Sequence, residues 1–435
     1  MSLIGAFIAG VTGVDAQSTA MDAISDNISN ANTVGYKTTR VLFQTLVSRT
    51  DAPTTEGASG AIPFNDAPGG VTPTPQMLVN QQGLLTASSS STDLGISGNG
   101  FFPVTSVNSV NPANGAILQG ATLAVTRAGS FNLDANGFLE NSSGFVALGV
   151  PVGTALPNSL TGLVPVQLNP GPTVTIAGSA TTQVSLAGNL PASDATGATE
   201  NMSASVFDSV GNGYSLNIQF TKTGADAWSA QATSITQTNT SNPPVTGAVA
   251  GTPMALTFGT NGELTSGGTG SLGTITLSNG QSLSPNFNLV GSNPNLTAVT
   301  QFDSSVAEAG ATQNGTATGY RTGIQVDSNG IVSEIYSNGD VVPRYQIPLV
   351  TYINPQGLEA ETGNVWVGTE TSGPAVINSP STGSAGQIMP STLEQSTTDL
   401  ANEFSNMIVT ESTYTANTKT ITTADQMYQT IAELR

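Results

Sequence analysis

Apolar residues spaced seven apart at the two ends of the chain constrain its fold more than any other feature. Residues 3–29 contain no proline, and their apolar stripe advances in steps of three and four. The stripe consists of Ile4, Phe7, Val11, Val14, Met21 and Ile28. This spacing places the side chains on one face of an α-helix. We therefore predict a helix within residues 1–31, about 40 Å long.

The other end of the chain repeats this pattern. Its stripe consists of Leu393, Leu400, Phe404, Met407, Tyr414, Ile421 and Tyr428. Pro390 is followed by Ser391 and, three residues later, by Glu394. A serine and a glutamate at this spacing form the capping box that begins many helices. The pattern predicts a second helix over residues 391–435, about 65 Å long.

Two arrangements would bury these apolar stripes. In the first, the two helices pair with each other within one chain. In the second, other subunits complete them. We favour the second arrangement because no further helix is predicted elsewhere in the chain. A helix of about 65 Å is also longer than a compact domain usually covers.

The segment between residues 73 and 388 has the pattern of short strands joined by tight turns. Asp134-Ala-Asn-Gly137 and Asp327-Ser-Asn-Gly330 each separate two short apolar segments. An Asn-Gly pair supplies the positive φ angles of a two-residue hairpin turn. A calcium loop of the EF-hand type needs glycine at its sixth position, whereas here glycine is fourth. We therefore predict a mainly β middle, with long α-helices at both chain termini that form a coiled-coil-like inner domain.

Two further segments stand out by composition. Residues 32–72 begin with three basic residues and continue with several prolines and a Gly-Gly pair. This composition predicts an extended connector that is neither helix nor strand. Residues 151–315 contain a single basic residue, Lys222, and are rich in Thr, Ser, Asn and Gly. That composition is typical of a surface β-domain.

The composition excludes several classes of function. The chain has no histidine and no cysteine. It therefore has no Ser-His-Asp triad, no thiol nucleophile, no disulfide and no ordinary zinc site. Nine basic residues against 28 acidic ones give a net charge of -19, whereas nucleic-acid binding needs clustered lysines and arginines. We predict no nucleic-acid partner, no metal and no cofactor.

Glu359 and Glu361 are the closest carboxylate pair in the β region, and a glycosidase would depend on such a pair. They follow a turn at residues 354–357, where solvated acidic side chains are common. Trp228 and Trp366 are the only two tryptophans that could form a platform for a sugar. We predict that the chain has no catalytic residues and is not an enzyme.

The chain has no segment of about 20 apolar residues, the length that a membrane-spanning helix requires. Its first 14 residues lack a basic start, and glycines interrupt their apolar run. A cleaved signal peptide has a basic start and a longer apolar core. We therefore predict no membrane insertion and expect this segment to belong to the mature fold.

Residues 27–37, Asn-Ile-Ser-Asn-Ala-Asn-Thr-Val-Gly-Tyr-Lys, resemble the signature that closes the first helix in axial proteins of the bacterial flagellum. This family comprises rod, hook and hook-associated proteins. The residues that match its motif are Asn30, Asn32, Thr33, Gly35, Tyr36 and Lys37. Residues 93–104, 127–151 and 363–366 resemble the blocks that follow in the same family, in the same order.

Two features resemble the hook members more than the shorter rod proteins. The first is the long insertion between Pro151 and about Gly315. The second is the pair of segments 188–190 and 206–211, which is similar to the outer domain of hook subunits. Glu411 and Ser412 depart from the family pattern, as does Pro103. The departure at 411–412 bears on the contacts of the terminal helix.

The resemblance implies a subunit that self-assembles into the hook, a flexible curved tube that transmits torque from rod to filament. It implies that residues 1–31 and 391–435 form the inner tube. Residues 73–150 and 316–390 would form a discontinuous β-domain in the middle shell, and residues 151–315 an inserted outer β-domain. The alternative within the family is another axial subunit, such as a distal rod or hook–filament junction protein.

The resemblance also implies partners and a location. The first partner is the chain itself, in a helical homopolymer. The others are the distal rod protein, the hook cap, the hook–filament junction protein and the flagellar type III export apparatus. The protein would be exported and would lie in the extracellular hook, continuous with the basal body.

Overall fold

The computed structural model describes residues 3–49, 66–113, 115–168, 174–238, 245–290 and 298–433. The chain divides into two compact units. The first unit comprises residues 1–171, 324–333 and 343–435. The second unit comprises residues 172–323 and 334–342.

The two long helices of the described chain lie at its ends, as the apolar stripes predict. Helix α1 is Leu3–Ser29, and helix α2 is Leu400–Glu433. Their 27 and 34 residues correspond to about 40 Å and about 51 Å. The helix α2 is therefore shorter than the prediction.

The predicted start of the second helix at Ser391 is wrong. Thr392–Glu394 is a strand that pairs with Leu85–Ala87. The cap of α2 is Asp399, whose Oδ1 accepts hydrogen bonds from the backbone N–H groups of Ala401 at 2.9 Å and Asn402 at 3.3 Å. The side chain of Glu394 bonds two distant cations instead of capping a helix.

The strands are numbered in chain order. From the first helix to residue 165 they are β1 (Thr39–Arg49), β2 (Asp66–Met77), β3 (Leu85–Ala87), β4 (Leu94–Ser97), β5 (Phe102–Ser106), β6 (Leu123–Thr126), β7 (Phe131–Leu133), β8 (Leu139–Asn141), β9 (Phe145–Pro151) and β10 (Val164–Pro165). The next are β11 (Thr175–Ile176), β12 (Gln183–Pro191), β13 (Thr199–Phe207), β14 (Gly213–Gly224), β15 (Ala227–Gln237), β16 (Thr246–Ala250), β17 (Met254–Phe258), β18 (Leu264–Ser266), β19 (Thr269–Ser271), β20 (Thr274–Leu277), β21 (Ser282–Leu283), β22 (Asn286–Asn288), β23 (Val299–Phe302) and β24 (Ala307–Gln313). The last are β25 (Gly319–Val326), β26 (Ile331–Tyr336), β27 (Val341–Gln346), β28 (Leu349–Thr351), β29 (Glu359–Glu361), β30 (Val365–Val367), β31 (Val376–Asn378), β32 (Gln387–Pro390) and β33 (Thr392–Glu394).

Within the described residues 32–49 and 66–72, the predicted connector contains two paired strands rather than extended chain alone. Strands β1 and β2 pair antiparallel, with Phe43 opposite Pro73 and Val41 opposite Pro75. Proline lacks an N–H group, so it is confined to edge strands and strand ends. Among the residues that the structure describes, this sheet has only these two strands, so β2 has a free edge that tolerates its prolines. The prolines Pro53 and Pro63, which supported the connector prediction, lie outside the described residues.

The sheet of the first unit is buried on both faces. Its strands run in the order β9-β5-β6-β30-β29, with antiparallel pairing. Neighbouring residues on a strand point to opposite faces. Phe102 and Val365 accordingly belong to one apolar core, whereas Phe101 and Trp366 belong to another.

The second unit is a sandwich of two sheets around one apolar core. One sheet runs in the order β13-β14-β15-β16-β20-β21, and the other is built around β12. Strand β14 shows the alternation expected of a half-buried strand. Its residues Tyr214, Leu216, Ile218 and Phe220 are buried, and the residues between them are partly exposed. The core also contains Val184 and Leu186 of β12.

The Asp-x-Asn-Gly segments form turns, as predicted, but the turn type differs from the prediction. The N–H of Gly137 donates to the carbonyl of Asp134 at 3.1 Å, and the N–H of Gly330 donates to that of Asp327 at 3.0 Å. Both glycines have positive φ, whereas Asn136 and Asn329 do not. Each turn is therefore longer than two residues. The carboxylate of each aspartate accepts a hydrogen bond from a backbone N–H group on the far side of the turn.

Asp208 closes a similar turn inside the second unit and is only 1% exposed. It accepts hydrogen bonds from the backbone N–H groups of Val210 and Asn212, from the Asn212 amide and from the Tyr214 hydroxyl, at 2.9 to 3.0 Å. Burial alone would raise the pKa of this carboxyl, but the four hydrogen bonds outweigh burial and hold the pKa below its usual value.

We expect Asp208→Asn to destabilise the second unit by about 2 kcal/mol, because its amide would meet the Asn212 amide donor to donor. Urea unfolding followed by Trp228 fluorescence, in a Trp366→Phe background, reports this unit. The exposed Asp226→Asn should change stability by about 0.5 kcal/mol or less. Because the pKa of Asp208 is depressed in the folded state, its carboxylate stabilises the second unit above the unfolded-state pKa of about 3.9. This stabilisation is lost as pH falls through the folded-state pKa. An Asp208→Asn variant as stable as Asp226→Asn would contradict this account.

Candidate functional site

Small residues line the face of α1 that packs against α2. The buried small residues of α1 are Gly10, Gly13, Ala16, Ala20 and Ala23, and the larger Ile24 and Asn27 are buried as well. A Cβ atom on Gly10 would lie 2.8 Å from Cγ1 of Ile421, and one on Gly13 would lie 2.7 Å from Nδ2 of Asn417. The two helices therefore approach each other closely only because these positions carry no side chain.

The facing side of α2 alternates between steps of four and three. The buried and half-buried positions with this spacing are Glu403, Met407, Thr410, Asn417, Ile421 and Ala424, and Thr418 is half-buried as well. Tyr414 continues this spacing and is 40% exposed. The two helices thus pair within one chain through a face that mixes polar and apolar residues. This is the first of the two arrangements considered from the sequence. The residues left exposed are the ones relevant to the second arrangement.

Asn27 joins the end of α1 to β1 and α2. Its amide donates to the carbonyl of Thr39 at 2.8 Å and to Oε1 of Glu403 at 3.2 Å. Its Oδ1 accepts from the Thr39 N–H at 2.9 Å and from the Tyr36 hydroxyl at 3.1 Å. Burial, and then the nearby charge of Asp399, raise the pKa of Glu403, while the Asn27 hydrogen bond acts in the opposite direction.

Glu394 holds two buried cations that are far apart in sequence. Its Oε1 lies 2.6 Å from Nζ of Lys37, and its Oε2 lies 3.1 Å from Nη1 of Arg127. Glu394 Oε1 also accepts a hydrogen bond from the N–H of Gly83 at 2.8 Å. Lys37 donates in addition to the carbonyl of Gln81 at 2.5 Å. We call Lys37, Arg127 and Glu394 the ionic junction.

The ionic junction carries one more positive than negative charge. Burial lowers the pKa of Lys37, and the charge of Arg127 lowers it further, against the attraction of Glu394. Arg127 also donates to the carbonyl of Gly98 at 2.8 Å, and its guanidinium lies 5.3 Å from the centre of the Phe101 ring. A cation over an aromatic face gains electrostatic attraction, which offsets part of the cost of burial.

Gly35 brings the motif loop against the ionic junction. Its N–H donates to the carbonyl of Glu394 at 2.7 Å, and its φ is 70°. A Cβ atom there would lie 2.6 Å from the carbonyl carbon of Arg127. Both the positive φ and the close approach require glycine. Gly35 therefore fixes how the end of α1 meets the β-domain.

The motif residues divide into structural and exposed ones. Lys37 and Gly35 are buried, and Tyr36, Thr33 and Asn30 are half-buried. The hydroxyl of Thr33 donates to Oδ1 of Asn30 at 3.0 Å. Asn32 is exposed, so the structure brings five of the six motif residues into the packed end of α1.

The predicted apolar stripes are divided between contact and solvent. Val14, Met21, Ile28, Met407 and Ile421 are half-buried. Phe7, Val11, Leu400, Phe404, Tyr414 and Tyr428 are exposed. Leu393 lies in β33 rather than on a helix, because the chain pairs there with β3. The side chain of Ile4 lies outside the described residues.

Three exposed apolar residues of α2 form what we call the apolar ridge: Leu400, Phe404 and Ile408. They lie four residues apart, which places them on one side of the helix. Their exposed fractions are 44%, 52% and 67%. Val409, Met427 and Ile431 are also exposed and lie on a different side.

Glu359 and Glu361 do not form a pocket of buried acids. Both lie exposed on the edge strand β29. Within the described ranges, no three acidic side chains converge in the manner of metal ligands. In the same part of the chain, no helix has the length and apolar character needed to cross a membrane.

The sequence interpretation missed the partners of Lys37. Glu394 was assigned to a helix cap, and Asn27, Arg127 and Glu403 were given no role of their own. A chain with only nine basic residues offers a signal, since a rare cation within an otherwise neutral motif requires a nearby acid. The small residues of α1 were also a signal, because they recur at helical spacing on one face.

Comparison with protein families gives three matches along the chain. Residues 9–37 match the model described as "Flagella basal body rod protein", and residues 178–316 match "Flagellar basal body protein FlaE D2 domain". Residues 389–434 match "Flagellar basal body rod FlgEFG protein C-terminal". The first and last matches cover most of α1 and all of α2, and they include Lys37 and Glu394 of the ionic junction.

Full-length relatives agree with these matches. The chain is 32% identical to the flagellar hook protein FlgE of Rhizobium meliloti, over 100% of both chains. It is 29% identical to FlgE of Salmonella typhimurium, over 99% of this chain and 100% of the relative. The crystal structure of Helicobacter pylori flagellar hook protein FlgE2 has a similar fold, with a TM-score of 0.51 and 14% identity. That likeness covers 71% of this chain and 100% of the other.

We expect Glu394→Gln to destabilise the first unit by about 3–5 kcal/mol, because it leaves two buried cations without their counter-charge. Urea unfolding followed by Trp366 fluorescence in a Trp228→Phe background measures this. The exposed Glu359→Gln is the matched control, with an expected change of about 0.5 kcal/mol or less. The double variant Glu394→Gln, Lys37→Met should lose less stability than the sum of the losses in the two single variants. Strict additivity would show that the ionic junction does not act as a unit.

Glu403 should make helix pairing depend on pH. Because the pKa of Glu403 is raised in the folded state, protonated Glu403 stabilises the helix pair. This stabilisation is complete below the unfolded-state pKa of about 4.3 and is lost as pH rises through the folded-state pKa. We therefore expect Glu403→Gln to stabilise the helix pair at pH 8 and to have a smaller effect at pH 5. Each unit of pKa shift corresponds to about 1.4 kcal/mol. Urea unfolding followed by circular dichroism tests this, with the exposed Glu411→Gln as control. An effect of Glu403→Gln that does not change with pH would contradict the account.

Proposed function

Because this chain belongs to the family of the flagellar hook protein FlgE, and is a structural subunit of the bacterial flagellar hook, we propose that its paired helices form the inner wall of the hook tube. Neighbouring copies would complete the apolar surfaces that one chain leaves in water. Such a wall requires the helices to make contacts both within and between subunits. The coiled-coil character of this inner domain is part of the proposal.

The observation that carries this proposal is the exposed apolar surface of α2. The apolar ridge and the residues Val409, Met427 and Ile431 are exposed in a helix that already packs on α1. Burying apolar surface is worth about 25 cal/mol per Å². A helix with this much uncovered apolar surface is stabilised by assembly, and a homopolymer supplies the partner.

The rest of the chain would form the outer layers of the tube. We assign the β-domain of the first unit to a middle shell, and the second unit, residues 172–323 and 334–342, to the outer layer. The matched FlaE D2 model covers residues 178–316, which supports an outer domain of this extent. The assignment refines the boundary of 151–315 expected from composition.

The mechanism would be mechanical rather than chemical. A curved tube that rotates must let contacts along its outer side lengthen and shorten in every turn. Polar surfaces rich in Ser, Thr and Asn exchange one hydrogen bond or water bridge for another at small net cost. Sliding of the helix contacts would expose apolar surface, so the inner wall would hold the tube together.

The proposed partners follow the position of a hook. The chain would contact the distal rod protein at one end and the hook–filament junction protein at the other, with the hook cap during growth. It would reach the extracellular side through the flagellar type III export apparatus. The relatives are structural hook proteins, which supports a protein that is not an enzyme.

We expect Phe404→Asp and Ile408→Asp to block polymerisation without loss of monomer stability. Both side chains are more than half exposed in the single chain, whereas a carboxylate in an apolar contact between subunits costs several kcal/mol. A cost of about 1.4 kcal/mol per contact already raises the critical concentration about tenfold. Sedimentation and negative-stain electron microscopy measure the polymer, and urea unfolding measures the monomer.

Two further variants sharpen the test. Thr420→Asp, at an exposed position about 120–160° around the helix axis from the ridge, should polymerise almost as well as the parent chain. Met407→Asp should lower monomer stability as well, because Met407 is half-buried in the helix pair. If the ridge variants polymerise as readily as Thr420→Asp, the ridge does not face another subunit.

A further inference from the structure

A groove opens beside α2, between this helix, α1 and strand β1. It encloses about 360 Å³. A cavity of about 150 Å³ is enough to hold a benzene molecule. The apolar residues that line the groove are Ala20, Ala23, Ile24, Val41, Phe43, Leu78 and Val409. Phe43 is 48% exposed, so the wall of the groove is open to an apolar side chain from outside.

The groove and the apolar ridge lie on different sides of α2. A helix turns by about 100° per residue, so Ile408 lies about 100° and Phe404 about 140° around the axis from Val409. One subunit therefore presents a protruding apolar surface on one side of the helix and a recessed one on another. Two such surfaces do not bury each other within one chain.

This arrangement favours a contact that propagates from copy to copy. A two-fold dimer uses the same patch on both partners, whereas a head-to-tail contact joins two different patches. When the ridge of one copy fills the groove of the next, the ridge of that next copy stays free for a third. Repetition of such a contact gives a ring or a helical array.

Charges beside the two surfaces are complementary. Glu411 lies three residues beyond Ile408 and seven beyond Phe404, and this spacing places it on the ridge side of the helix. Arg40 and Glu403 both line the groove; Arg40 is exposed, whereas the Glu403 carboxylate is buried and accepts a hydrogen bond from Asn27. The chain has only nine basic residues against 28 acidic ones. A cation at the groove is therefore a specific feature rather than a general property of the surface.

We propose that the apolar ridge of one subunit inserts into the groove of its neighbour, with Glu411 beside Arg40 of that neighbour. The proposal rests on the proposed function, because it requires a helical homopolymer. It adds the identity of the two surfaces and the direction of the contact. The ridge follows the i, i+4 row of α2, and such rows are the ones that pack into grooves between helices.

Disulfide trapping tests this contact with no background, because the chain has no cysteine. The test variant carries Ile408→Cys and Phe43→Cys, and the assembled polymer is oxidised with copper phenanthroline. A disulfide forms only where the two Cβ atoms come within about 3.5–4.5 Å. We expect a ladder of covalent oligomers on a denaturing gel, from dimers to species beyond tetramers. The same treatment of the unassembled chain should give no ladder.

The single variants establish the direction of the contact. Each alone should stay monomeric on the gel, and a co-polymer of the two single variants should give dimers and no larger species. Dimers from Ile408→Cys alone would indicate a two-fold contact and would overturn the proposal. The control pair Thr420→Cys with Phe43→Cys should give no ladder, because Thr420 lies off the ridge, and a ladder equal to that of the test variant would also overturn the proposal.

Charge reversal provides a second measurement that does not depend on cysteine geometry. Glu411→Lys and Arg40→Glu should each raise the critical concentration for polymerisation, and the double reversal should restore it at least in part. If the double reversal instead raised the critical concentration by the combined effect of the two single reversals, and the polymer formed no disulfide ladder, the proposal would be overturned. The proposed function would remain intact. If the parent chain itself formed no polymer, the proposed function would fail instead.

Discussion

The carboxylate of Glu394 is the interaction on which the first unit depends. It binds Lys37 at the end of the N-terminal helix segment and Arg127 in the β-domain, and it lies six residues before the start of α2. All three side chains are at most 5% exposed. A buried charge without a partner costs far more than a buried pair. Each of the three segments is therefore held in place by the other two.

The helices of the hook subunit face two demands that this junction reconciles. In the proposed inner wall they would have to pair within a chain, so that each copy presents a defined form, and also keep apolar surface for their neighbours. Small residues such as Gly13 and Ala16 meet the first demand, because they allow close packing with little apolar area. Large exposed residues such as Phe404 and Ile408 would meet the second. The junction fixes where both helices meet the β-domain, so that the same surfaces are presented by every copy.

Much of the fold follows from patterns that are local in sequence. The heptad spacing predicts both terminal helices, and the Asp-x-Asn-Gly segments predict turns, because each depends on residues within a few positions of one another. The start of α2 could not be predicted in this way. Ser391 and Glu394 match a capping box, but the Glu394 carboxylate instead binds residues more than 260 positions away. The β1–β2 hairpin is also missed, because its prolines are acceptable only on a free edge.

The site was predictable to a similar extent. The motif from Asn30 to Lys37 identifies the end of α1, but its sequence does not identify Glu394 or Arg127 as partners. The apolar stripe identifies the helices, yet it does not separate the side chains that contact α1 from those that stay exposed. That division depends on which face carries glycine and alanine, and so on the packing of two segments at opposite ends of the chain.

The long separation within the ionic junction also sets an order of events. A ribosome makes the chain from its N-terminus, so Lys37 and Arg127 exist well before Glu394, which follows Arg127 by 267 residues. Until then the end of α1 has only its local hydrogen bonds to Tyr36 and Thr39, and closing so long a loop is slow. The terminal helices therefore become fixed only after nearly the whole polypeptide is available. A chain that ends before Glu394 would leave the buried Lys37 and Arg127 without their counter-charge.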